Sequence, residues 1–181
     1  MAEPAERRMS LAEFLKWDDG TDTRYELIDG RPRAMAPPIE AHGTIVANLA
    51  AAIRPRLKPP CRVVVEAGII PADRVDTWYQ ADLVATCAPA ERGARATAEP
   101  RLIVEVPSTA AHDRGVKLAD YRRLASVEQI LLVASEDRHV EVWRRAENGW
   151  TVQDLIGDAA IPLALDDQPL ALAAIYDGVA I

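Results

Sequence analysis

The sequence predicts a single mixed α/β (α+β) domain, a central mixed sheet flanked by helices. Three observations carry this expectation. Helical periodicity comes early in the chain, ahead of a series of short β-branched runs. One of those runs, Arg101–Val106 (RLIVEV), is almost wholly apolar, as a strand covered on both faces must be. A helical segment over Ala111–Ala125 then separates it from the runs that follow, so the sheet is crossed by one helix.

The elements follow in order. Residues 1–9 read as a flexible leader, and residues 10–181 as the single domain. Ser10 and Glu13 make a capping box ahead of Leu11, Phe14, Leu15 and Trp17, which starts a short amphipathic helix. Arg24–Gly30 (RYELIDG) is a strand running into an Asp-Gly turn. Pro37-Pro38 interrupts the chain. From His42 to about Leu57 the spacing of Ile45, Leu49 and Ile53 gives one apolar helical face, which Pro59-Pro60 stops. Arg62–Ile70 and Tyr79–Thr86 are strand-like in length and β-branched content. Residues 87–100 (CAPAERGARATAEP) are polar, alanine-rich and punctuated by prolines, which predicts a mobile surface loop. Beyond the crossing helix, Gln129–Ala134 and His139–Arg144 read as strands, and Asn148-Gly149 turns into Thr151–Leu155. Leu170–Tyr176 is expected to close the fold as a helix.

Bulk properties narrow the classes. A chain of 181 residues, 49% apolar and 27% charged, suits one globular domain. No run approaches the roughly 20 apolar residues that span a bilayer, so no membrane partner is expected. The opening MAEPAERRMS lacks an apolar segment behind its charges and does not read as a signal peptide. Cys61 and Cys87 form no CxxC pair and suggest no disulfide, which predicts a reduced, cytoplasmic protein. The net charge of −7 argues against a general nucleic-acid coat protein. There is no GxxxxGK[ST] loop and no GxSxG elbow, and Cys and His are too scattered for a zinc set.

The chemistry-bearing feature is a pair of acids inside apolar strands. Asp82 sits in Ala-Asp-Leu-Val-Ala and Glu105 in Leu-Ile-Val-Glu-Val. Ionised carboxylates are seldom buried unless paired or bound to a metal, because desolvation costs several kcal/mol. On neighbouring strands the two would make an oxygen-donor site suited to Mg²⁺ or Mn²⁺. The plainer alternative, acids at strand ends, exposed or paired with an arginine, stays open on pattern alone. Downstream, Asp113, Lys117 and Tyr121 recur at i, i+4 and i+8 and so share one helical face. A lysine reaching the acids would orient the attacking water and offset charge on a phosphate. An Asp113–Lys117 surface pair accounts for the same spacing. Glu26 is a candidate third carboxylate, His42 a candidate phosphate contact or proton carrier at a helix start, and Glu66 a further acid in an apolar strand. Basic residues gather at Arg54-Arg56-Lys58, Arg92-Arg95-Arg101 and Arg114-Lys117-Arg122-Arg123, each readable as a backbone contact or as a solvated surface.

The ordered series RYELIDG, APPIEAHGTIVANLAAAI, ADLVA, LIVEV, PSTAAHDRGVKLADYR, ILLVAS and VEVWRR resembles the Uma-two family of restriction-endonuclease-like proteins, a branch of the PD-(D/E)xK phosphodiesterase superfamily. The resemblance runs from about Leu11 to Tyr176. It implies a restriction-endonuclease-like fold with a metal site where two core strands diverge. Asp82 takes the place of the first acid and Glu105 that of the second, while Lys117 supplies the lysine from the following helix. Glu26 and Tyr121 match positions the branch also carries. It implies a Mg²⁺- or Mn²⁺-dependent endonuclease, with nucleic acid, DNA by expectation, as substrate and a homodimer as the assembly. The two acids in apolar strands, Asp82 and Glu105, with the Val106 carbonyl, are the groups expected to hold the metal. Two departures stand out. Ala81 replaces the proline of the first motif, and Glu105-Val106-Pro107-Ser108-Thr109 is two residues shorter than the family's usual E-V-L-S-P-S-T. The shorter connection keeps a second outcome open, a catalytically degenerate nucleic-acid or protein-binding module, and the acidic balance a third, a phosphodiesterase of small substrates.

Overall fold

A computed structural model describes residues 8–107 and 111–181, the side chains of 111–114 excepted. The chain opens on α1 (Leu11–Phe14), where the Ser10–Glu13 capping box forms as expected. β1 (Tyr25–Ile28) folds back onto β2 (Arg31–Ala34) through Asp29 and Gly30, whose φ values of 50° and 76° are both positive. Two such residues in succession are what a tight hairpin with an Asp-Gly turn requires. β2 itself is not visible in the sequence, because Pro32 cannot donate to a ladder and reads as a breaker.

α2 (Glu40–Ile53) buries Ile45, Val46, Leu49 and Ile53 along one side. It stops short of the expected Leu57. Pro55 has no N–H for an α-helical bond, and a 3₁₀ turn over Arg54–Arg56 takes the place of the last α-turn.

Six strands then form the central sheet in chain order: β3 (Arg62–Ile69), β4 (Tyr79–Thr86), β5 (Pro100–Glu105), β6 (Gln129–Val133), β7 (His139–Ala146) and β8 (Gly149–Ile156). Every junction is antiparallel except β5–β6, which is parallel and needs the crossover that α3 (Ala111–Arg123) provides. The sheet is therefore mixed, as the sequence predicted. β5 and β6 alternate between two cores. Leu102, Val104, Leu131 and Val133 face α2 and the C-terminal segment, while Ile103, Ile130 and Leu132 face the layer that contains Tyr121. At the C-terminus β9 (Ala160–Ile161) pairs with β10 (Leu170–Ala171), and only α4 (Leu172–Ile175) of the expected closing helix is helical.

Two local expectations change. The disulfide-free reading is corrected: Cys61 and Cys87 are joined. The β3–β4 register sets Arg62 opposite Thr86, so the residues one step outward meet across the strands, a pairing that no sequence motif announces. Residues 87–99 are tied down rather than loose. Thr86 Oγ1 donates to the Ala98 carbonyl at 2.7 Å, Trp78 Nε1 to the Arg95 carbonyl at 3.0 Å, and Thr97 N–H to the Gly68 carbonyl at 2.8 Å. Of the expected leader, residues 1–7 lie outside the described residues, whereas Met9 N–H donates to the Gly30 carbonyl at 2.7 Å. Among the described residues, no helix is long and apolar enough to cross a membrane.

The tether of residues 87–99 rests on Gly68. A Cβ there would meet the Arg95 carbonyl oxygen at 2.1 Å and the Trp78 ring at 2.7 Å. Gly68→Ala is expected to lower unfolding stability by about 1–3 kcal/mol in a urea titration followed by tryptophan fluorescence. An unshifted midpoint would show that this loop does not press on β3.

Candidate active site

The site grows out of a fork in the sheet. β4 and β5 pair from Thr86 and Pro100 as far as Leu83 and Val104, and there the ladder ends. Beyond it, β4 continues against β3 alone. The next rung would belong to Asp82 and Glu105. In place of a ladder bond, the Val106 N–H donates to Asp82 Oδ2 at 2.6 Å. The side-chain alternation of β4 shifts here as well. Leu83 and Ala85 face the α2 core, whereas Val84, Ala81 and Tyr79 all belong to the other. The strand turns at Asp82.

On the far side of β4, Glu66 occupies the register position opposite Asp82, between the pairs Val65–Leu83 and Ala67–Ala81. Its φ of 53° is left-handed, a conformation that costs a non-glycine residue about 1–3 kcal/mol. Glu66 joins Arg24 in an ion pair.

Helix and hairpin supply the rest. From α3, Tyr121 donates its hydroxyl to Glu105 Oε1 at 2.6 Å, and Lys117 Nζ lies 3.5 Å from the same oxygen. Lys117 is also 2.7 Å from Glu26 Oε1, which accepts the Gln80 N–H at 2.8 Å. Glu26 reaches β4 because Leu27 and Trp78 exchange backbone hydrogen bonds at 2.9 and 2.8 Å, docking β1 onto the start of that strand. From the first turn of α2, His42 Nε2 lies 2.9 Å from Asp82 Oδ1. All six side chains singled out as catalytic, Asp82, Glu105, Lys117, Glu26, Tyr121 and His42, are thus brought together. Val106 joins them through its amide. The side chain of Asp113 lies outside the described residues.

The electrostatics follow from burial and pairing. Burial pushes the Glu105 carboxyl up to about 7, against the pull of the Lys117 ammonium. Burial also works against the charge on Lys117, but the Glu105 and Glu26 carboxylates outweigh it and hold the amine well above the ordinary lysine range. The hydrogen bond to Asp82 raises His42 above the usual imidazole value, despite its partial burial. The Tyr121 hydroxyl, buried and facing Glu105, stays firmly protonated and acts as a donor.

Sequence reasoning missed the support beneath Lys117. Buried Asp120 accepts the Tyr79 hydroxyl at 2.7 Å, and Arg74 Nε lies 3.4 Å from the same carboxylate oxygen. The Tyr79 ring meets Tyr121 edge-on at 5.8 Å between centroids, and the Lys117 ammonium sits 5.5 Å from the Tyr79 centroid. Asp120 lies between Lys117 and Tyr121 in sequence, beside the tyrosine of the shared helical face, and nothing in its own pattern marks it as buried.

Other candidates are not drawn in. Apart from Lys117, the members of the basic clusters that show partners make separate local contacts: Arg56 pairs with Asp166 at 3.0 Å, Arg101 with Glu128 at 2.7 Å, and Arg122 stacks over Trp143 at 5.1 Å. A surface hollow lined by Ile70, Thr97, Glu99, Pro100, Leu124 and Ser126 lies at the other end of β5 and gathers no comparable set of acids. Among the described residues, no group of three or more His, Cys, Asp and Glu side chains forms a ready-made metal cage.

Comparison with known proteins agrees with this architecture. Residues 11–173 match the model of the Uma2 family, described as "putative restriction endonuclease". The uncharacterized protein slr1290 of Synechocystis sp. (strain ATCC 27184 / PCC 6803 / Kazusa) is 26% identical over 178 residues, spanning 96% of this chain and 94% of that protein. The crystal structure of a putative nuclease belonging to DUF820 from Anabaena variabilis superposes with a TM-score of 0.75 at 18% identity, covering 95% of this chain and 99% of the other. At that identity the likeness establishes the fold.

The two glutamates beside Lys117 should differ in what they do for stability. With its folded value raised from 4.5 to about 7, Glu105 favours the fold when protonated and withdraws that support as the pH rises through about 7. In chelator, Glu105→Gln is expected to melt about 2–8 °C above the unsubstituted protein at pH 8, with the gap closing by pH 5. Glu26→Gln, which strips Lys117 of its nearer partner, should melt lower at both. Calorimetry on the three proteins checks this, and a lower Tm for Glu105→Gln at pH 8 would refute it.

Proposed function

The chain belongs to the Uma2 family, and from that premise we propose that it is a metal-dependent endonuclease hydrolysing the phosphodiester bonds of nucleic acid, with DNA as substrate. The observation that carries this reading is the position of Lys117. Although the connection after Glu105 is two residues shorter than the family's, the ammonium lies 3.5 Å from Glu105 Oε1. The lysine therefore remains beside the second acid.

The donor set fits a hard cation. Asp82 and Glu105 bring two carboxylates to one strand fork, and the Val106 carbonyl follows directly on Glu105. Mg²⁺ and Mn²⁺ take oxygen donors, and Mg²⁺ keeps several waters, so few protein ligands suffice. Bound there, such an ion would supply Lewis-acid polarisation of the phosphate and a more acidic bound water.

The chain's own residues divide the remaining work. Lys117, held as an ammonium, donates hydrogen bonds and cannot serve as the base. Its role is to orient the attacking water and offset charge growing on the phosphate. Glu26 keeps that ammonium charged and in place. Tyr121 fixes the Oε1 of Glu105 by its short hydrogen bond. His42, hydrogen-bonded to Asp82 and raised above the usual imidazole value by that bond, is placed to carry a proton at the edge of the site. A homodimer, in which two such sites act on opposite strands, belongs to the same proposal.

Cleavage of plasmid and of single-stranded DNA in Mg²⁺ and then Mn²⁺ tests the reading. Asp82→Ala and Lys117→Ala are each expected to lower the rate by about 10²–10⁴-fold. Absence of cleavage by the folded, unsubstituted protein in both metals would overturn it in favour of a binding module.

A further inference from the structure

We infer that Arg24 is a phosphate-binding residue of this site, one that Glu66 holds in reserve and releases to the nucleic-acid backbone. The inference rests on the nuclease reading above and adds to it the group that receives the phosphate next to the one being cleaved.

Placement is the first argument. The hairpin ladder continues one rung beyond β1, since Met35 N–H donates to the Arg24 carbonyl at 2.8 Å. Arg24 is therefore extended, and its side chain emerges on the same side as Glu26, about 7 Å further along the strand. Glu26 is the partner of Lys117, so Arg24 stands one step outward from the lysine. Its charge is felt at His42, where it opposes the protonation that Asp82 favours.

The second argument is availability. The site gathers Asp82, Glu105 and Glu26, and a phosphodiester adds further negative charge. Lys117 is 16% exposed and already lies between two carboxylates. The Arg24 side chain is 37% exposed, and its contact to Glu66 is made through Nη1 of a guanidinium with five N–H donors. Such a fork matches a phosphate in a way that a lysine does not.

Glu66 explains why this arginine waits. It is 56% exposed, so its pairing with Arg24 is a rim contact that water can replace. Its backbone is held left-handed at the register position opposite Asp82, which turns the carboxylate out of the ladder and toward Arg24. An incoming phosphate competes for the same donors, and the exchange swaps one oxyanion for another. Removal of the carboxylate should therefore favour binding, whereas removal of the arginine should oppose it.

Fluorescence anisotropy of labelled 20-base single-stranded and duplex DNA, in chelator and in Ca²⁺, separates the outcomes. Arg24→Ala is expected to weaken binding by about 10- to 100-fold and to lower the slope of log K against log salt by about 1. Arg24→Lys should recover part of the affinity, and Glu66→Gln should bind several-fold tighter than the unsubstituted protein. Thermal melts establish that each variant is folded, and Arg24→Lys serves if Arg24→Ala is not. Unsubstituted protein that binds both DNAs, with Arg24 variants that bind equally well at the same salt slope, would overturn the assignment of Arg24 alone. Weaker binding by Glu66→Gln would likewise overturn it, making the pair a structural staple. No binding by the unsubstituted protein in either buffer would remove the nuclease reading and this inference together.

Discussion

A lysine ammonium with little access to water, set between two carboxylates, is the constraint on which the rest of the structure depends. Such a charge is tolerable only when its partners are in place, because desolvation otherwise costs several kcal/mol. The partners of Lys117 come from separate elements. Glu26 is carried by the N-terminal hairpin, Glu105 by a central strand, and the ring face of Tyr79 by the strand beside it. Three elements distant in sequence must dock before the ammonium is compensated. The site is thereby part of what specifies the fold, and a chain that misplaced the hairpin would leave a buried charge without its nearer counter-ion.

The crossing helix carries the same demand. The chain leaves β5 through Val106 and Pro107, and the proline restricts the backbone of the residue before it. A short connection by itself would allow the helix to roll and carry Lys117 away from Glu105. Two contacts oppose that motion. Tyr121 locks the helix to Glu105 from above, and Asp120, bonded to Tyr79 and close to Arg74, locks it to β4 and to the segment before it. Because Asp120 and Tyr121 are adjacent, their side chains splay to two different anchors and fix the helix in rotation as well as in depth.

Much of this was legible in the sequence, and the parts that were not have physical reasons. The order of elements could be read because their signals are local: the capping box at Ser10, the apolar spacing of Ile45, Leu49 and Ile53, the near-continuous Arg101–Val106 run. For Asp82, Glu105 and Lys117, the pattern of acids in apolar strands followed by a lysine-bearing helix left a plainer reading open, and the family resemblance was what singled out the three together. What escaped depends on register. The Cys61–Cys87 bond arises from which residues face each other across strands, while the clash at Gly68 and the Arg24–Glu66 pair arise from how the 87–99 loop and the N-terminal hairpin lie against β3, and a single strand carries no record of its partners. The two-residue strands β9 and β10 are too short to show any period.

The hydrogen bonds that hold the acids also leave them able to act. A carboxylate oxygen has two lone pairs, so a donor that occupies one fixes its direction and leaves the other. Asp82 accepts Val106 N–H on one oxygen and faces His42 with the other. Glu105 takes the Tyr121 hydroxyl on Oε1, with the Lys117 ammonium at the longer distance of 3.5 Å. The closer lysine contact, at 2.7 Å, goes to Glu26, which also holds the Gln80 amide on that same oxygen. The strong pairing is therefore spent on the acid that has no place at the strand fork. The acid at the fork is oriented by a neutral hydroxyl, and its charge is only partly offset, which is why burial can push its carboxyl up to about 7. An acid satisfied by its own lysine would gain little from a further cation. Glu105, under-compensated and aimed, is the one whose ionised form a cation at the fork would stabilise.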